Sequence, residues 1–289
     1  MAGQRPARAG EPVLVGTDGS APAQAAVRWA AVEAQRRGTT LTVLCAYDPA
    51  GAALPWRSRQ DPATAAVLAE ATVADARAAL GALAPTVSVR TVVAPGQPAA
   101  VLLQHSGDAG LLVVGHRGRG GLTSLLLGSV GQRVSTHARC TTAVVRGRSF
   151  AIDGPVVVGV DSSPGGRAAL RAALDAARLR HAPVLALHAY AEALPPVASG
   201  LHPTLPTGPE ELAKSRMDEV VGLLAGGQAD FPDVQVRSQV AAGSAAGLLV
   251  GASYHAQLMV VGNHGRGSPL GSVGQQLLHH ADCPVLIAR

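Results

Sequence analysis

Aromatic residues make up 2% of this 289-residue sequence, and Lys214 is the one lysine among 24 Lys plus Arg. With 47% apolar residues and so few rings, a core has to be built from Ala, Val and Leu. Such side chains suit helices packed closely on a sheet. Cysteine is equally sparse. Cys45, Cys140 and Cys283 are odd in number, far apart and free of any CxxC, which argues against a disulfide framework and a cysteine zinc site. No apolar run approaches the length of a membrane span. The net charge of +5 comes from dispersed arginines with no run of five like charges, so no nucleic-acid partner is predicted. The opening MAGQRPARAGEP lacks an apolar stretch of signal-peptide length. The expectation is a soluble, cytoplasmic protein with no membrane partner.

What the sequence does have is a repeat. PVLVGTDGS (12–20) matches PVVVGVDSS (155–163), placing Asp18 and Asp161 143 residues apart, and the pairs Gly128/Gly271 and Cys140/Cys283 keep that offset. Between them Gly96/Gly243 and Gly115/Gly262 are offset by 147, so the second copy gains four residues after its second strand and loses four in a glycine-rich loop. A period of this size is a duplicated domain. The domains are placed at 11–148 and 152–289, joined by the polar RGRSFAIDGP.

Within the first copy, apolar runs at 13–17, 41–47, 87–93, 111–115 and 142–146 predict strands. Ala-rich segments at 22–37, 61–82, 98–107 and 124–136 predict helices. Strands alternating with helices imply right-handed crossovers and a parallel sheet covered on both faces, an α/β doubly wound architecture. Ligands in such sheets bind beyond the carboxyl ends of the strands. Asp18, Asp161 and both glycine loops fall there.

The loops read VVGHRGRGGLTSLLLGS (113–129) and VVGNHGRGSPLGS (260–272). A strand running into a glycine-rich turn and a helix N-terminus presents N–H groups and a positive helix end to an anion. Arg117 and Arg119 add positive charge in the first copy. No GK[ST] is present, and Thr123 stands where GxGxxG needs glycine, so neither the P-loop nor the dinucleotide fingerprint applies. The spacing that fits is G-x2-G-x9-G-[ST], from Gly115, Gly118, Gly128 and Ser129.

That motif resembles the nucleotide-binding loop of ATP-binding universal stress proteins. The resemblance extends to GTDGS and GVDSS, to the strand ends CAYD and HAY, and to HARCTTAVVR and HADCPVLIAR, and so covers nearly the whole chain twice. It implies two tandem domains of the adenine-nucleotide α-hydrolase-like type, each a five-stranded parallel sheet of order 3-2-1-4-5. The apolar edge strands TAVVR and PVLIA then pair inside one chain as an internal pseudo-dimer, leaving other faces for a homodimer. It also implies ATP, with Mg²⁺, as ligand. Asp18 would contact the adenosine part, the backbone of Ala46 would face adenine, and Gly115, Gly118, Gly128, Ser129 and Val130 would cradle ribose and phosphates. The second copy offers Asp161, Ala189, Gly262, Gly265, Gly271, Ser272 and Val273. Its loop is four residues shorter and carries Pro269, which has no N–H to give a phosphate. The second site is expected to be weakened.

Other readings of the same residues stand beside these. Asp18 and Asp161 suit turns, and Ser129 and Ser272 suit helix N-caps. His137 and His280 read as structural or surface residues, Cys140 and Cys283 as buried fillers, and Arg36 and Arg37 as solvated. No acid–base pair or nucleophile accompanies the loop, so the expectation is a non-catalytic regulator of stress response and survival, with slow ATP hydrolysis left open. The alternatives are a nucleotide-free dimerising scaffold, or an ATP pyrophosphatase or synthetase of the same fold group, whose SGGxDS-like loop is missing here.

Overall fold

Continuous apolar runs such as VLVG and LLVVG can be buried on both faces only if helices cover both sides of their sheet. The computed structural model, described here for residues 10–49, 61–118, 127–190, 209–263 and 270–289, has that arrangement in each half. The first half runs β1 (Val13–Gly16), α1 (Ala21–Arg37), β2 (Leu41–Tyr47), α2 (Pro62–Leu80), β3 (Val89–Pro95), α3 (Pro98–His105), β4 (Leu111–Gly115), α4 (Ser129–His137) and β5 (Thr141–Val145). The second runs β6 (Val156–Gly159), α5 (Pro164–Arg180), β7 (Val184–Tyr190), α6 (Pro209–Gln228), β8 (Val236–Ala242), α7 (Ala245–Ser253), β9 (Leu258–Gly262), α8 (Ser272–His280) and β10 (Val285–Ala288).

The strand order β3-β2-β1-β4-β5-β10-β9-β6-β7-β8 is two parallel 3-2-1-4-5 units joined into one ten-stranded sheet. The seam is the antiparallel pair β5–β10, in register at Val144↔Val285, Ala143↔Leu286 and Thr142↔Ile287. Each half covers the last strand of the other, so neither of these apolar edges is left bare. One core layer lies under α1, α2, α5 and α6, and the other under α3, α4, α7 and α8. Both run across the seam.

Local signals place the helices. Ser20 and Ser163 cap α1 and α5, accepting from Ala23 and Gly166 N–H, with Pro in the first turn of each. α1 ends at Gly38 in the left-handed region, as many helices do. α5 ends in the same conformation at His181, φ 51°.

α4 departs from the sequence reading. Its first residue is Ser129 rather than a position near 124, because Gly128 is held extended by donating its N–H to His116 O at 2.8 Å. Arg36 and Arg37, read as solvated, are not. Arg37 Nε lies 2.8 Å from Glu33 Oε1 with its side chain 19% exposed, and Arg36 reaches the same carboxylate at 3.9 Å. Arg180 of α5 approaches Glu33 from across the seam at 2.6 Å, both side chains 2% exposed. Amphipathic spacing cannot reveal this, because Glu33 is buried by a helix that comes 130 or more residues later.

Candidate functional site

The chain leaves β1 for β2 and β3, then returns to the other side of β1 to form β4. Connections therefore diverge from the carboxyl ends of β1 and β4, opening a crevice at the topological switch point. In the first half this crevice is a cavity of about 540 Å³. It brings together Asp18, Ala46, Gly115, Arg117, Gly118, Gly128, Ser129 and Val130, the residues selected from sequence for that half.

The β1–α1 turn sets one wall. Gly19 N–H donates to Thr17 Oγ1 at 3.2 Å and Ser20 N–H to Asp18 Oδ1 at 3.0 Å, with Gly19 at φ 77°. Asp18 thus shapes the turn that delivers Ser20 to its capping position, and also lines the cavity. The turn reading of this aspartate is the one its hydrogen bond shows. Ala46, in register with Ala94 near the end of the β2–β3 ladder, leaves room on the opposite side.

The glycine loop sets the other wall. A Cβ on Gly115 would stand 2.7 Å from Pro22 O, so the absence of a side chain lets β4 run beneath the first turn of α1. A Cβ on Gly118 would stand 2.5 Å from Asp18 Oδ2, so here loop backbone lies directly against the carboxylate. α4 begins beyond, with Gly128 as N-cap and no side-chain cap bond. Ser129, read as an N-cap, is the first helical residue. The first turn, Ser129 to Gly131, lies at the cavity with its N–H groups and positive helix end available to a ligand.

Two arginines complete the electrostatics. Arg117 lines the cavity, and its Nε is buried without a hydrogen-bond partner among the described residues. Arg133 reaches the same space from one turn beyond Ser129. His116 does not add to this charge. Burial holds its pKa below the usual histidine range, and Arg146 and Arg117 push the same way, against the bond from Nδ1 to Val145 O. Arg133 was missed in the sequence, although its i+4 spacing from Ser129 would have placed it on the same helix face. Thr17, Gln97 and Leu102 were missed too. Gln97 Nε2 donates to Asp48 Oδ2 at 2.8 Å, linking the start of α3 to the end of β2 at the cavity's edge.

The second half has a cavity of about 330 Å³ at the corresponding place, bringing together Asp161, Ala189, Gly262, Gly271, Ser272 and Val273. Gly265 and Pro269 lie outside the described residues, as does Arg119. Gly262 repeats the packing of Gly115, since its Cβ would stand 2.5 Å from Gly165 O. Gly271, not Ser272, is the N-cap of α8. The two halves differ in charge and in width. Gln276 stands at the repeat position of Arg133, and among the described lining residues the charged one is Asp161. His188 replaces Cys45 and donates Nδ1–H to Val160 O at 2.8 Å. Gly166 replaces Ala23, and a Cβ on it would overlap the backbone and carboxylate of Asp161. The first turn of α5 therefore sits closer to its aspartate than α1 does. This narrowing is separate from the loop deletion, which falls among undescribed residues except for Leu127 and Leu270.

The three cysteines are buried, and burial pushes the thiols of Cys140 and Cys283 up to about 12, leaving these two unreactive fillers. Among the described residues no three His, Cys, Asp or Glu side chains are grouped to hold a metal, and no helix is long and apolar enough to cross a membrane.

Comparison with known proteins places this geometry in a family. The universal stress protein family model matches residues 11–146 and again 154–289. A universal stress protein of Mycobacterium tuberculosis is 34% identical over 292 residues, covering 96% of each chain. The crystal structure of a universal stress protein from Archaeoglobus fulgidus covers 96% of each chain with a TM-score of 0.66 at 17% identity, a likeness of fold. Another universal stress protein structure from that organism, in complex with dAMP, covers 48% of this chain and 100% of its own at 25% identity and a TM-score of 0.34. With both halves matched by the family model and a relative aligned almost end to end, the chain belongs to the universal stress protein family, as a tandem of two such domains.

Proposed function

We propose that the first half binds ATP and that the chain acts as a nucleotide-responsive, non-catalytic regulator of stress response and survival. One observation carries this reading. The first cavity gathers an uncapped helix N-terminus, Arg117 and Arg133 in one space with Asp18 and the small Ala46. A ligand that carries both a polyanionic group and a neutral hydrogen-bonding group suits that lining. The sequence motif around it supports adenine as the neutral group. The second half binds nucleotide more weakly, being smaller, narrowed at Gly166 and without Arg133's charge.

Among the described residues Asp18 is the one carboxylate lining the first cavity. Magnesium would therefore be held by phosphate oxygens and water, with the Ser129 hydroxyl within the same region. Among the described residues no acid and base face each other across the cavity, which favours binding over turnover. Action in the cytoplasm and as a homodimer belong to the same proposal. Such a dimer would use surfaces other than β5 and β10, which are already paired.

Isothermal titration of the full chain with ATP tests the reading. The expected result is one dominant site that weakens in Asp18→Ala, with no release of ADP, AMP or pyrophosphate above background. Absence of binding at millimolar ATP would overturn it and leave the scaffold reading, which the smaller second cavity already favours for that half.

A further inference from the structure

The helix that faces each cavity has its far end in the grip of the opposite half. Arg289, directly after β10, donates from Nη2 to Ser135 O in the last turn of α4 at 2.6 Å. Arg146, directly after β5, donates from Nη1 to Leu278 O at 2.7 Å and Leu277 O at 3.2 Å in the last turn of α8. Arg146 and Arg289 occupy the same repeat position, as do Ser135 and Leu278. The contact is thus made twice, reciprocally, across the antiparallel seam. Ser135 and Leu278 are fully buried. Terminal helix carbonyls in such a place need a donor, and a cation there offsets the negative end of the helix dipole.

The other ends of these same helices are the uncapped first turns at Ser129 and Ser272, one at each cavity. A helix of nine residues is about 13 Å long and moves as a unit. Whatever fixes its buried end also fixes where its first-turn N–H groups point.

We propose that Arg289 and Arg146 are positioning residues for the anion-facing helix of the opposite half. Arg289, from the second domain, holds α4 at the first cavity; Arg146, from the first domain, holds α8 at the second. Each site is therefore complete only in the paired chain, and an anion engaging one helix is felt at the last strand of the other domain. This rests on the nucleotide reading for its ligand, and on the structure alone for its mechanics.

The test uses full-length Arg289→Ala, Arg289→Lys and Arg146→Ala, with ATP and adenosine titrations and hydrogen exchange resolved to single helices. Arg289→Ala is expected to weaken ATP at the first site about tenfold, the size of effect that losing an orienting contact commonly has. Adenosine should lose far less, because the first turn of α4 faces the phosphates. Exchange should accelerate in α4 and not in α8, while Arg146→Ala should give the mirror pattern. Arg289→Lys, which retains the charge and a donor, should recover part of the ATP affinity. Wild-type ATP affinity and α4 exchange in Arg289→Ala would overturn the proposal. So would equal acceleration of both helices in either alanine variant, which marks a generally loosened seam. If the wild-type chain binds no nucleotide, the functional reading fails, and the exchange pattern still decides the role of the arginines.

Discussion

Gly115 and Gly118 stand three residues apart in the same loop and answer to different neighbours. A methyl group on Gly115 meets the backbone of α1, which cannot turn away, whereas one on Gly118 meets the end of the Asp18 side chain, which can. Gly115→Ala is expected to cost about 1–3 kcal/mol of stability, the usual penalty for overpacking, and to disturb ATP binding as a consequence. Gly118→Ala should fold almost as the wild type yet bind ATP more weakly, because the displaced carboxylate lines the cavity proposed for the nucleotide. Denaturant unfolding beside calorimetric titration separates them, and equal stability losses would contradict this division. The spacing of these glycines was legible in the sequence, and both of them line the cavity. Which one serves the ligand and which the fold was not, because the difference lies in Pro22 and Asp18, some hundred residues earlier.

At the level of elements, β2 and β4 have the spans read from their apolar runs, because a buried strand declares itself by composition. The start of α4 was misjudged, since a single backbone bond from Gly128 decides it and periodicity carries no trace of that. The helix ends hold a further asymmetry. Gly38 and His181 occupy the same repeat position and the same left-handed conformation, after α1 and α5. For a residue with a Cβ that conformation is strained. His181→Gly should therefore stabilise the chain by about 0.5–1 kcal/mol, measured as a higher denaturation midpoint with an unchanged slope. A lower midpoint would mean that the histidine side chain makes a compensating contact.

Across the whole molecule, Glu33 is where the two halves are most firmly tied. Burial on its own would raise its pKa, but Arg180 and Arg37 outweigh it and hold the carboxyl at about 2, below its ordinary 4.5. A depressed folded-state pKa stabilises above the unfolded value, so this contribution is present above about pH 4.5 and is lost as pH falls toward about 2. Glu33→Gln leaves the buried Arg180 and the part-buried Arg37 without their shared carboxylate, at an expected cost of about 3–5 kcal/mol at pH 7. The variant's stability should also vary less between those two pH values, a difference that denaturant titrations at several pH values would measure. The duplication itself was plain in the sequence, as was the pairing through the last strands, but this clasp was not. Arg37 and Arg180 are repeat equivalents, whereas Glu33 is matched by Ala176. A chain assembled from two second halves would bring two such arginines together with no glutamate between them. One assembled from two first halves would hold two of each. The halves are thus no longer interchangeable parts, and the short tether, which keeps them at an effective concentration on the order of millimolar, favours the mixed pair over either matched one.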